Sequence, residues 1–294
     1  MSFRLGRAEP AGAGLKRILL AELALARATL ADDVEEAERR IHRVRRTLKR
    51  ARSLAAVFRP VVGDDHKRRK AVLKEAADLL SEARDADVAV ATARALAGRL
   101  KDPALAAPLI DRLAAEARAA HERTVDTERA AACLRIAEAD AASLPVLEKG
   151  DELLVDAFGA AYRRGRKDWK RARDGGAEDE DLLHDWRKRV KDRWHLTLLV
   201  EGRTPATTKR IAVDLDRLAE LLGDEHDLAL LARRLDTDPD AAGGPQPARR
   251  LAKAVAARRR RLADKALDLG AALYGRRTEP FMARLDRLRR HEPD

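Results

Sequence analysis

The sequence predicts an all-α protein built from two homologous halves, and three observations carry that prediction. The first is composition: Ala, Leu and Arg, all strong helix formers, dominate, β-branched residues are sparse, and aromatics make up 3% of the 294 residues. The second is periodicity, because apolar residues recur at i, i+3, i+4 and i+7 through most of the chain. The third is an internal repeat. Segment 41–52, IHRVRRTLKRAR, aligns without a gap on segment 183–194, LHDWRKRVKDRW. His42 then meets His184, Arg45 meets Arg187, Arg46 meets Lys188 and Lys49 meets Lys191. The same offset sets Lys67-Arg68 on Lys209-Arg210, Leu73 on Leu215, Leu79-Leu80 on Leu221-Leu222 and Asp85 on Asp227. One register held over roughly forty residues marks a duplication.

The elements follow in order from local signals. Residues 1–10 are expected to form a flexible leader ending at Pro10. Leu15, Ile18, Leu19 and Leu23 then share one helix face. Asp32-Asp33 are expected to cap a second, long helix that stops before Pro60, with Ile41, Val44, Leu48, Ala51 and Ala55 as its apolar stripe. A third helix should run from about Asp64 to Glu82, with a continuation to about residue 100. Asp102-Pro103 marks a break, and a fourth helical region reaches about Ala139. Residues 11–140 are thus the first half, 141–147 a hinge and 148–291 the second half. There a helix from about Leu147 ends in YRRGRKDWKRAR, and the loop DGGAEDED offers acidic caps to the next helix, which ends near Gly202. Another helix spans Pro205 to about Leu235. DPDAAGGPQP is a loop, a strongly basic helix follows, and a last short one begins after Pro280.

Charge and cysteine usage narrow the function. The 61 Lys+Arg exceed the 50 Asp+Glu, leaving a net +11 whose placement matters more than its size. Cys133 is the only cysteine, so an intramolecular disulfide and a cysteine-based zinc site are excluded, and its run AACLRIAEA suggests a buried thiol. No stretch approaches the twenty apolar residues of a membrane span, and MSFRLGRAEP lacks the apolar core of a signal peptide, so a cytoplasmic protein without membrane contact is expected. There is no P-loop glycine pattern, no His/Asp metal set and no activated nucleophile, so neither catalysis, nor a metal, nor a cofactor is expected. Asp85, Asp87 and Asp227 are better read as helix caps or as ion-pair partners for basic side chains.

His42, Arg45, Arg46 and Lys49 follow an i, i+3, i+4, i+7 spacing, which places them within roughly 100° of one helix face. They flank the apolar stripe, where stems are fixed and charged heads project. The stripe occurs twice, which suits a long polyanion. The first copy holds no acid across 41–52, whereas the second holds Asp185 and Asp192, so the first should attract anions more strongly. Trp186 aligns with Val44 on the apolar face and is expected in the core.

IHRVRRTLKRARSLAAVF, LLSEARDADV, YRRGRKDW, LHDWRKRVKDRWHL and LAELLGDEHDLALL together make the chain resemble the CHAD domain, the conserved histidine α-helical domain, from about residue 12 to 290. The resemblance implies two tandem four-helix bundles related by a pseudo-two-fold axis, with basic surfaces on a central groove or pore. It also implies binding of inorganic polyphosphate, often at polyphosphate granules, whose proteins would be further partners. Many relatives are fused to a CYTH triphosphate-tunnel β-barrel; no strand-rich segment of that kind is present here, so the chain looks like a stand-alone CHAD protein. It departs from the family pattern at Trp194 and His195, where the second motif often continues with Arg and an aromatic. On this reading Arg45, Arg46, Lys49, Arg187, Lys188 and Lys191 contact polyphosphate, with Arg52, Lys67, Lys209, Arg163 and Arg166 as second choices. His42 and His184 should hydrogen-bond phosphate, with affinity increasing as pH falls through the histidine range. The alternative is a protein that binds nucleic-acid backbone. Against it stand few aromatics for stacking (3 Trp, 2 Tyr and 4 Phe) and the lack of a helix-turn-helix signature.

Overall fold

In the computed structural model, which describes residues 3–34, 36–122, 126–176, 179–203 and 205–276, all regular structure is helical. The helices are α1 (Ala11–Leu30), α2 (Ala37–Ala55), α3 (Arg59–Val62), α4 (Asp65–Asp78), α5 (Glu82–Ala97), α6 (Ala107–Glu122), α7 (Thr127–Ala142), α8 (Gly150–Gly175), α9 (Glu180–Val200), α10 (Pro205–Thr237) and α11 (Pro245–Tyr274). None of the described helices is long and apolar enough to cross a membrane.

Periodicity explains most of these elements. Ile41, Val44, Leu48 and Ala51 are all buried, so the stripe read from the sequence is the core face of α2. Trp186, fully buried at 0% exposure, plays the same part on α9. The Asp179 side chain accepts a hydrogen bond from Leu182 N–H and caps α9, satisfying one of its orphan donors. Asp126 does the same for α7 through Arg129 N–H. Asp32-Asp33, in contrast, lie in a turn ahead of α2, and the first helical residue is Ala37. The expected fourth helical region is two helices, α6 and α7, and the helix expected after Pro280 lies outside the described residues.

Two apolar cores organise the molecule. α1, α2, α4 and α7 pack around the first, and α8 to α11 around the second. The division does not follow chain order. Val90, Ala93, Leu96, Leu109 and Leu113 of the α5–α6 hairpin belong to the second core, against α10. Leu154, Val155 and Phe158 at the start of α8, and Leu199-Val200 at the end of α9, belong to the first. Each half therefore completes the core of the other, which a split into 11–140 and 148–291 does not capture.

The expected leader and hinge are also packed. Phe3 and Leu5 are 6% and 1% exposed, and Leu5 N–H donates to the Leu199 carbonyl at 2.8 Å. Ala141, Leu144 and Leu147 are buried, and Lys16 Nζ donates to the Leu144 carbonyl at 2.5 Å. Short apolar segments of this kind have no periodicity to betray them. The first helices of the two halves cross where Gly12 meets Gly150. A Cβ on Gly12 would lie 1.9 Å from the Leu147 carbonyl oxygen, so only glycine allows this approach.

Candidate functional site

α2 and α9 touch, and their contact brings the duplicated stripes together. Ser53 Oγ lies 2.8 Å from His195 Nδ1, and these two residues are 142 positions apart, so equivalent positions of the two copies face each other. One turn back along each helix, Lys49 and Lys191 are another equivalent pair. Burial, and then the positive charges of Lys191, Arg45, Arg187 and Arg84, lower the Lys49 pKa to about 8, although part of the side chain reaches solvent. Lys191 is lowered in the same way, by burial first and by Arg187 next, against the pull of Asp216 and Asp227.

The arginines beside them are held in place. Arg45 Nη1 donates to the Ala77 carbonyl at 2.8 Å, and Nη2 lies 3.6 Å from Asp85. Arg187 is opposed by Asp227, the equivalent of Asp85, and its Nε is buried with no hydrogen-bond partner. Asp85 is thus an ion-pair partner of the stripe, and Asp227 attracts its arginine at longer range; no group of three or more metal-ligating side chains occurs among the described residues.

The histidines differ. Arg84 Nε donates to His42 Nδ1 at 3.1 Å, so Nδ1 is unprotonated and the neutral ring carries its proton on Nε2. Burial, then Arg84, Arg46, Lys49 and Arg45, lowers the His42 pKa. His184 lies against His226 with ring centroids 4.4 Å apart and the planes tilted by 30°, and its pKa is lowered by burial and then by Lys188 and Arg187. His226 falls to about 4, through burial first and His184 second. Any charging of the two stripe histidines is therefore displaced below the ordinary histidine range. His195 drops to about 3, chiefly by burial and then by Lys191, Arg50 and Lys49, and stays neutral.

A cleft of about 500 Å³ opens beside this contact. Lys49, Arg52, Lys188 and Lys191 line it, joined by Arg59, His66, Arg69, Lys70, Arg164 and Arg189. Asp192 also lines it, near Ser53 Oγ at 3.4 Å; burial raises its pKa against the pull of Arg189 and Arg164.

Other expected residues lie elsewhere. Lys67 is exposed and pairs with Asp64 at 3.7 Å, while its neighbours His66 and Lys70 line the cleft instead. Lys209 is exposed near the start of α10. Arg163 and Arg166 do not line the cleft; Arg164, rotated by one residue on α8, does. Arg84 was missed, yet the repeat offset places it opposite His226, and both contact the stripe histidine of their own copy. Cys133 is buried, as its sequence context suggests.

The profile of the CHAD domain matches residues 17–236. The crystal structure of the CHAD domain from the plant Ricinus communis is similar with a TM-score of 0.55 at 17% identity, covering 100% of this chain and 94% of that one. No curated protein matches the sequence.

Proposed function

This chain belongs to the CHAD domain family, and we propose that it binds inorganic polyphosphate without transforming it. The observation that carries this reading is the convergence of Lys49 and Lys191 at the α2–α9 contact, where burial first, and then the charges of Lys191, Arg45, Arg187 and Arg84, hold the Lys49 pKa down at about 8. Like charges massed in a partly buried place are unfavourable on their own and become favourable when an anion joins them.

On this reading the helices form two bundles about a pseudo-two-fold axis near the Ser53–His195 contact, with the stripes sharing one basic groove. Support comes from the two equivalent pairs, Ser53 with His195 and Lys49 with Lys191, and from the matched Arg45–Asp85 and Arg187–Asp227 attractions. A phosphate chain crossing the groove meets Arg46 and His42 on one side, the two lysines at the centre, and Arg187 and Lys188 on the other. Arginine presents planar forks to paired oxygens and lysine a mobile point charge. Each well-formed charged hydrogen bond contributes about 1.5–3 kcal/mol, and counterion release adds a salt-dependent part. The neutral His42 offers Nε2–H as a further donor. Such a module would work in the cytoplasm and could hold its protein at polyphosphate granules.

Competition tests the reading. Labelled long-chain polyphosphate should stay bound at physiological salt when challenged with single-stranded RNA or duplex DNA at equal phosphate concentration. Displacement by RNA would favour the nucleic-acid alternative, and phosphate release on adding magnesium or manganese would contradict a non-catalytic role.

A further inference from the structure

Lys49 is the more exposed member of the pair at the α2–α9 contact, and it opens onto the cleft of about 500 Å³. Its Nζ has no hydrogen-bonded or ion-paired carboxylate among the described residues. Lys188, the exposed cleft lysine of α9, is instead held by Asp185 at 3.0 Å. The cleft carboxylate Asp192 is engaged elsewhere: it lies 3.9 Å from Arg189 and 3.4 Å from Ser53 Oγ, and the other charges acting on it are Arg164 and Arg52. The charges acting on Lys49 are all positive. They are Lys191 and Arg187 of α9, Arg45 of its own helix and Arg84 of α5.

An accessible amine in such a setting has two properties at once. Partial burial first, and the neighbouring charges next, favour its neutral, nucleophilic form. The same neighbours hold an anion beside it. At about pH 7.5 roughly a quarter of Lys49 is neutral, against about one in a thousand for an ordinary lysine. A free amine next to a phosphate seat suits reagents that carry a phosphate on an activated carbonyl. We infer that Lys49 is a site of stoichiometric acylation by acyl phosphates, which the cations around it hold in place. Nζ attacks the acyl carbon with its lone pair, an N–C amide bond forms, and the C–O bond to phosphate breaks. Phosphate leaves as the inorganic ion and takes the proton that the nitrogen loses. The surrounding cations stabilise the charge that gathers on the departing phosphate. The product carries no charge at residue 49, so acylation weakens the hold on polyphosphate; only this consequence rests on the polyphosphate reading.

Acetyl phosphate is the probe, incubated with the intact protein near neutral pH and followed by peptide mass spectrometry. Lys67 and Lys253, exposed and away from the cleft, serve as references. Lys49 should be acetylated about ten-fold faster than either, or more. With acetic anhydride, which carries no phosphate, the preference for Lys49 should shrink about three-fold. Lys191→Gln removes the cation that acts on Lys49 most strongly, and should slow its reaction with acetyl phosphate about five-fold. Saturating long-chain polyphosphate should protect Lys49. A Lys49 rate no higher than that of Lys67, or the same Lys49 preference with both reagents, would overturn the inference. Both comparisons use the parent protein, so they decide the matter even if circular dichroism shows Lys191→Gln misfolded. Selective acetylation of Lys49 in a protein that binds no long-chain polyphosphate would remove the polyphosphate reading alone. Polyphosphate binding without that selectivity would remove this inference alone.

Discussion

On α2, Arg46 has no hydrogen-bonded or ion-paired carboxylate among the described residues, whereas its counterpart on α9, Lys188, is matched by Asp185 at 3.0 Å. His42 is bonded by an arginine, Arg84; the equivalent position facing His184 is another histidine, His226. Arg50 on α2 lies 3.9 Å from the buried Glu22, and the position equivalent to Arg50 on α9 is an acid, Asp192. The centres of the stripes have not diverged in this way: Lys49 and Lys191 lie close enough for their charges to repel, and Arg45 and Arg187 each have an aspartate at the equivalent position. The lesson is that the centre is symmetric and the flanks are not. On the proposed reading, a symmetric ligand would be gripped at the middle, and the α2 side would attract it more strongly.

Three experiments break or sharpen that comparison. The largest effect should come from the centre. Lys49→Gln with Lys191→Gln removes two charged contacts, and at about 1.5–3 kcal/mol each the affinity for long-chain polyphosphate should fall a hundred-fold or more by calorimetry, with helicity intact. A loss below ten-fold would mean that the flanks carry binding by themselves.

The second concerns pH. Lys49 titrates near 8 in the free fold, below its ordinary 10.5, and a bound phosphate raises it again. Affinity should thus be flat below pH 8 and decline as pH rises above it, with a proton taken up on binding; Lys49→Arg should make the decline shallower, and Lys191→Arg with it should remove the rest. The stability of the free protein should move the other way. Between about pH 8 and 10.5 the unfolded chain holds the Lys49 proton that the fold has lost, so this group's contribution to stability rises with pH across that window. Thermal melts and titrations over one pH series give both slopes, and slopes of the same sign would refute the assignment.

The smallest effects probe the flanks. Arg46→Gln should cost about ten-fold in affinity and Lys188→Gln only about two-fold, because Asp185 already engages that lysine. Asp185→Asn should improve binding about two-fold. Equal losses at Arg46 and Lys188 would make the flanks equivalent after all.

Much of this was legible in the sequence, because it depends on spacing along single helices. The α2 stripe, Trp186 in the core and the Arg–Asp register all follow from a period of 3.6 and one repeat offset. What stayed hidden depends on how helices meet. Nothing local says that Val90 and Leu109 leave the first half for the second core, or that Ser53 touches His195 across the molecule. Arg164, rather than the expected Arg163 and Arg166, lines the cleft, since about 100° separates adjacent residues and only a known packing partner fixes the phase. Phe3 and Leu5 were hidden for another reason: a segment too short for periodicity shows its burial only in the fold.

The most direct test of the shared groove is a crystal structure of the protein with a short inorganic polyphosphate bound. Consecutive phosphates should lie within hydrogen-bonding distance of Lys49 and Lys191 together, with the chain running on toward Arg46 and Arg187. A chain confined to one helix, or bound on the outer face of α11, would contradict the account.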